Sequence, residues 1–168
     1  RKEIENEISR LKSKLGLVKA PKLYLFTNLL DRHQIYRFHK TFDCFVSTHR
    51  GEGWGIPQME AMIMEKPIIS TNCGGIHDFL NKNVAYLLDC NLISLKENSR
   101  NKQWYTPDQK WADVKVDDVR KAMREVFNNQ DKAKEVGKKA RAFVLKNFEV
   151  TEVGKLMYDR LLEIEKTL

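Results

Sequence analysis

The chain contains no apolar run approaching the roughly 20 residues needed to cross a bilayer, so no membrane-spanning helix is expected. Cysteine is scarce: Cys44, Cys73 and Cys90 are the whole set. Their number is odd and no Cys-x-x-Cys spacing occurs, which argues against a disulfide framework and against a structural zinc site. Cys44 and Cys73 lie beside apolar, strand-like runs, so buried free thiols in a reducing compartment are the expectation. No internal repeat or low-complexity tract is present, which excludes solenoids and long linkers. The opening residues, RKEIENEISR, read as charged helix and not as a leader, so secretion is not expected. No spacing supports a Ser-His-Asp or Cys-His nucleophile. His33, His39 and His77 have no partner in sequence and are assigned to packing, not to a metal.

What remains is a chain of 168 residues, 42% hydrophobic and 32% charged, enough for one domain with a real core. Its formal net charge is +7. A basic surface attracts phosphates, nucleic acid or anionic lipid. Here the excess runs along helices such as DKAKEVGKKARAFVLKNF, as on a solvated helix face. No aromatic-basic motif accompanies it, so nucleic acid is not an expected partner.

Residues 2–15 show an apolar stripe of Ile4, Ile8, Leu11 and Leu15, a helix that Gly16 stops. KLYLF (22–26) reads as a short buried strand. Asp31 reads as the N-cap of a helix carrying Ile35, Phe38 and Phe42 on one face. CFVST (44–48), PIIST (67–71) and VAYLL (84–88) are three further strands, with a helix, PQMEAMIME, after the first of them. Short continuous apolar strands alternating with helices predict an α/β fold: a Rossmann-like parallel sheet with helices on both faces. Residues 89–115 read as a long polar loop anchored by Trp104 and Trp111. Three helices follow, with stripes at Val116, Val119, Met123 and Val126, then Val136, Ala140 and Phe143, then Val153, Met157, Leu161 and Ile164.

The stretch THRGEGWGIPQMEAM, 48–62, carries the chemistry. In an open α/β sheet, ligands bind beyond the carboxyl ends of the strands, and this turn leaves such an end and enters a helix. Pro57 suits the first helical position, which makes Ile56 the N-cap residue, and isoleucine cannot cap. An uncapped helix start flanked by Gly53 and Gly55 is an anion site that backbone can approach closely. Glu52 and Glu60 have no basic partner nearby in sequence. As acceptors they suit vicinal hydroxyls on either side of an anionic centre, which is the shape of a nucleotide sugar. The alternative is structural: a glutamate near a helix N-terminus is favoured by the dipole alone, and a glycine turn can be only a turn.

EGWGIPQMEAM resembles the E-x7-E signature of the group 1 retaining glycosyltransferases of GT-B architecture. EKPIISTNCGGIHDFL is similar to that family's next strand and glycine-pair loop, and WADVKVDDVRKAMREVF and KAKEVGKKARAFVLKNF resemble its closing helices. The resemblance covers roughly residues 20–165 and is most specific at 48–80. It implies a C-terminal, nucleotide-sugar-binding domain over residues 1–168, the donor half of an enzyme that transfers a sugar with retention of configuration. A non-catalytic nucleotide-sugar-binding or scaffold module is the alternative.

The resemblance further implies site roles. Glu52 would hold donor-sugar hydroxyls as the catalytic glutamate, and Glu60 the ribose hydroxyls. Gly53 and the backbone N–H groups of Trp54, Gly55 and Ile56 would meet sugar and diphosphate, with Arg50 assisting and with Gly74 and Gly75 shaping the adjacent wall. No metal or other cofactor is expected. The implied partners are the nucleotide-sugar donor, an N-terminal acceptor domain and a glycan, lipid or protein acceptor. The expected location is the cytoplasm, with the cytoplasmic face of a membrane as the alternative. Two features depart from the family. Its diphosphate-binding Arg/Lys pair has no match here, and Thr27-Asn28 stands where a glycine often follows the strand. The domain's first strands are without counterpart, so the chain is expected to be part of a longer polypeptide.

Overall fold

The computed structural model describes residues 1–16, 21–95, 105–106 and 108–167. It resolves into two compact units, Arg1–Ile35 and Tyr36–Leu168.

The first unit opens with helix α1, Lys2–Lys14, which ends where Gly16 takes a positive φ of 59°. Glutamates in its first turn and lysines in its last complement the helix dipole. None of its residues is buried: the apolar stripe is present but solvated. The segment expected as strand KLYLF forms no strand, and Tyr24 is 73% exposed. An apolar run becomes a strand only where a neighbour accepts its backbone hydrogen bonds, and no sheet among the described residues includes it. Helix α2, Arg32–Lys40, begins as expected at Asp31. Asp31 Oδ1 accepts from the Gln34 N–H at 2.8 Å, and the Asp31 N–H donates to Gln34 Oε1 at 2.9 Å. This reciprocal pair is a capping box.

The second unit is the α/β layer structure. Strands β1 (Phe45–Ser47), β2 (Ile68–Thr71) and β3 (Tyr86–Leu88) pair in parallel in that order. Helix α3, Ile56–Ile63, connects the first two. Side chains alternate across the sheet, so adjacent Ile68 and Ile69 enter different cores. Ile68 packs with Ala61, Met62, Phe79, Ala140 and Val144; Ile69 packs with Leu88, Val126 and Ala133. Helix α3 supplies Ala61 and Met62, α4 (Val116–Asn128) supplies Val126, and α5 (Gln130–Phe148) supplies Ala133, Ala140 and Val144, so helices lie on both faces, as the sequence predicts.

Three details differ from expectation. The stretch 89–115 is not wholly a loop: β4 (Cys90–Ser94) and β5 (Lys110–Val114) form a two-stranded antiparallel sheet. Residues 96–104, and with them Trp104, lie outside the described residues. On α4 the packed face is Val119, Ala122 and Val126, while Val116 and Met123 are exposed. Helix α6, Val150–Glu165, has the expected stripe, yet none of its residues is buried. Periodicity specifies which face is apolar, not what covers it.

Candidate functional site

The glycine turn leaves the carboxyl end of β1 and enters α3, as predicted, but the helix starts one residue earlier. Its N-cap is Gly55 in the left-handed region, φ 99° and ψ 44°, so Ile56 is the first helical residue and Pro57 the second. Proline still fits, since the N–H it lacks is one that the first turn leaves unbonded. No side chain caps the helix, as expected.

Glu52 is not idle in the turn. Its Oε1 accepts from the Gly55 N–H at 3.1 Å, closing the loop onto the residue that starts the helix. The remaining oxygen has no protein partner among the described residues. Around it the glycines divide into two kinds. A Cβ on Gly51 or Gly53 would meet nothing within 4 Å, and neither has a positive φ. A Cβ on Gly74 would lie 2.5 Å from Glu52 O, and one on Gly75 1.9 Å from Gly53 O. Gly75 N–H also donates to Glu52 O at 3.0 Å. The glycine pair after β2 therefore shapes the site by letting backbone lie directly on backbone, which holds the 52–54 turn in place. Trp54 contributes its ring to the packing, 5.6 Å from Phe79 and 6.0 Å from Phe148 between ring centres. Ile56 is exposed at the helix start.

Beneath the turn lies a polar network that sequence reasoning missed. His49 Nε2 is 3.0 Å from the Cys73 carbonyl oxygen, which only accepts, so Nε2 carries the proton. His49 Nδ1 then accepts from Ser47 Oγ at 3.2 Å and from Gln58 Nε2 at 3.4 Å. The ring ties β1, α3 and the loop after β2 together. Gln58 is 1% exposed and its Oε1 has no partner among the described residues. A lone amide in the otherwise apolar first turn of α3, IPQM, was the available signal.

Glu60 has a partner distant in sequence, the imidazole of His39. Its Oε2 lies 3.4 Å from His39 Nε2 on α2, and the Glu60 side chain is 18% exposed. His39 packs as expected, its ring 5.3 Å from Phe42 and 6.2 Å from Phe45. Arg50 is directed to β5: its guanidinium is 3.3 Å from Asp113 and 4.7 Å above the Trp111 ring, while its carbonyl accepts from the Ala112 N–H at 2.8 Å. Trp111, expected to anchor a loop, lies instead in β5, where its ring holds Arg50. His77 Nε2 contacts Asn72 Oδ1 at 3.0 Å. Among the described residues, no group of three or more His, Cys, Asp or Glu could hold a metal ion.

The structure thus brings Arg50, Glu52, Gly53, Trp54, Gly55, Ile56, Gly74 and Gly75 together at the carboxyl end of β1 and β2. Glu60 stands within α3, turned to His39.

No curated protein matches the chain. Among solved structures, the C-terminal domain of a glycosyl transferase group 1 family protein, LpcC, from Francisella tularensis is 15% identical, with 88% of this chain and 64% of that one covered and a TM-score of 0.62. A glycosyltransferase from Rickettsia africae ESF-5 is 23% identical, with 99% and 37% covered and a TM-score of 0.63. Anabaena Alr3699/HepE, in complex with UDP, is 18% identical, with 96% and 37% covered and a TM-score of 0.64. The chain spans less than two thirds of each of these structures. At such identities the likeness shows the fold, the Rossmann-like C-terminal domain of GT-B proteins. The profile of the family described as glycosyl transferases group 1 matches residues 3–101, more than half of the sequence, and the chain belongs to that family.

Proposed function

We propose that these residues form the donor site of a glycosyltransferase, which moves a sugar from a nucleotide-sugar donor to an acceptor with retention of configuration. The observation that carries the reading is the pair Gly51 and Gly53, which neither backbone angle nor internal packing requires, in front of the uncapped start of α3. Glycine at such positions admits a ligand against the backbone. The α3 N-terminus supplies partial positive charge for the diphosphate, so its departure needs no metal in this reading. The Glu52 oxygen not bonded to Gly55 accepts from sugar hydroxyls. Glu60, braced by His39 and partly exposed, accepts from the ribose. UDP-glucose as donor and UDP as its released product, with both of which the Anabaena protein was solved, are the first ligands to test. The acceptor, a glycan, lipid or protein, is bound by an N-terminal domain, and the reaction takes place in the cytoplasm.

The test uses the full-length polypeptide. Calorimetric titration with UDP should show saturable binding that Gly53→Val abolishes while leaving the unfolding midpoint in place. Release of UDP from UDP-glucose on addition of acceptor, with the product anomer assigned by NMR, checks transfer and retention. Identical titration curves for wild type and Gly53→Val would remove the turn from the donor site.

A further inference from the structure

Cys73 and Cys90 play no part in the donor site described above, yet the sheet brings them together. In β2 and β3, Thr71 is level with Leu88, an offset of 17 residues. The next backbone bond, from the Asn72 N–H to the Leu88 carbonyl at 2.9 Å, continues that alignment past the strand ends. Cys90 stands at the same offset from Cys73, two residues past the ends of β2 and β3, where the Cys73 N–H turns back to the Thr71 carbonyl at 3.0 Å. Paired strands run about 4.8 Å apart, inside the Cα separations that disulfides span. The Cys90 side chain turns the same way: its Sγ donates to the carbonyl of Asn72, the residue before Cys73, at 3.7 Å. Both residues are half-buried and carry free thiols. Cys44, by contrast, precedes β1 at the amino end of the sheet.

From this juxtaposition we propose that Cys73 and Cys90 are a modification site: a dithiol that a small-molecule disulfide such as oxidised glutathione converts to an intramolecular disulfide. The Cys73 thiolate attacks one glutathione sulfur, forming a mixed disulfide and expelling one glutathione thiolate. The Cys90 thiolate then attacks Cys73 Sγ, forming the protein disulfide and expelling the second. Both cysteine protons pass to the released thiolates; the protein loses two electrons and the glutathione disulfide gains them. Burial and the neighbouring Cys73 raise the pKa of the Cys90 thiol, which fits it to the second, intramolecular step, where proximity compensates for a low thiolate fraction.

The bond would pin a segment on which the glycine turn rests. The Cys73 carbonyl is bonded to His49, and Gly74 and Gly75 lie directly on residues 52–53. At its other end the link would reach β4, whose partner β5 is bonded to the Arg50 carbonyl. Closure would thus fix both supports of the turn. The inference does not depend on the sugar-transfer reading, and its test involves no donor.

The full-length protein is incubated with oxidised glutathione, its remaining thiols are blocked under denaturing conditions, and the peptides are mapped by mass spectrometry. One cross-link between the Cys73 and Cys90 peptides is expected, reversed by dithiothreitol and unchanged in Cys44→Ser. In Cys73→Ser and Cys90→Ser the cross-link should be replaced by a glutathione adduct on the remaining partner. Amide exchange over residues 72–76 should slow several-fold in the oxidised protein. Stable glutathione adducts on both residues of the wild type, a link that includes Cys44, or no loss of thiols would each overturn the assignment. Unchanged exchange over 72–76 would overturn the pinning.

Discussion

The Glu60 carboxylate and the His39 ring stand 3.4 Å apart, Oε2 to Nε2, with His39 only 4% exposed. Twenty-one positions separate the two in sequence, and α2 and α3 bring them together. The contact gives the second glutamate of the motif a fixed direction before any ligand arrives. His39→Phe should keep the aromatic packing against Phe42 and Phe45 while removing the polar partner. Because Glu60 retains some solvent, the loss should be about 1 kcal/mol in urea unfolding, not the larger figure for a sealed ion pair. Adding Glu60→Gln to His39→Phe should recover part of it. A His39→Phe protein as stable as wild type would show that the pair is incidental.

The two kinds of glycine predict opposite results from one chemical change. In Gly75→Ala the new methyl group would meet the Gly53 carbonyl oxygen at 1.9 Å, a backbone atom that cannot rotate away. The turn must shift or the domain must open, at a cost of about 3 kcal/mol or more. In Gly53→Ala the methyl meets nothing within 4 Å, so stability should stay within about 0.5 kcal/mol of wild type. Nucleoside diphosphate affinity, measured by calorimetry, should fall in Gly53→Ala even though its stability does not. Equal stabilities for the two variants would contradict the packing described here.

Much of this arrangement was legible in the sequence, and the limits have physical causes. β1, β2 and β3 could be read because each is a short apolar run, fully buried in β2 and partly buried in β1 and β3, and Asp31 could be read as a cap because its partner Gln34 is three residues away. KLYLF carries the same pattern and forms no strand, since pairing depends on a neighbour and not on composition. The turn at 51–55 was legible from its glycines. That Gly75 exists to accommodate Gly53, or that His49 reaches across to Cys73, was not. Both are contacts between segments more than 20 residues apart, and no local periodicity encodes them. β4 and β5 were missed because polar residues interrupt the apolar ones in CNLIS and KWADV, so neither reads as a continuous apolar run.

Glu52 holds the Gly55 N–H as well as standing where the donor sugar is proposed to lie, and these roles can be separated. Glu52→Gln keeps an oxygen that accepts the same hydrogen bond, whereas Glu52→Ala removes it. Alanine should therefore lower the unfolding free energy by about 1 kcal/mol, and glutamine by much less. Both should lower sugar transfer, since the amide lacks the charge of the carboxylate. Nucleoside diphosphate binding should survive in the glutamine variant. If glutamine proves as destabilising as alanine, the Gly55 bond is not what Glu52 contributes to the turn.

Cys44 offers a test of the core that needs no ligand. Burial, with the nearby Asp43 charge adding to it, pushes its thiol from an ordinary 9.0 up to about 11. The fold thus favours the neutral thiol. Below pH 9 the group is protonated in folded and unfolded chains alike, and its full contribution is present. Between pH 9 and about 11 the unfolded chain releases the proton while the folded one retains it, so stability falls as the pH rises. Tyrosines and lysines titrate in the same range, so the informative quantity is the difference between wild type and Cys44→Ala, in which those groups cancel. Wild type should be the more stable at neutral pH, and its advantage should shrink steadily across the window from pH 9 to about 11 in denaturant titrations. A constant gap across that window would mean that the thiol is solvated and that the core beside β1 is more open than its packing indicates.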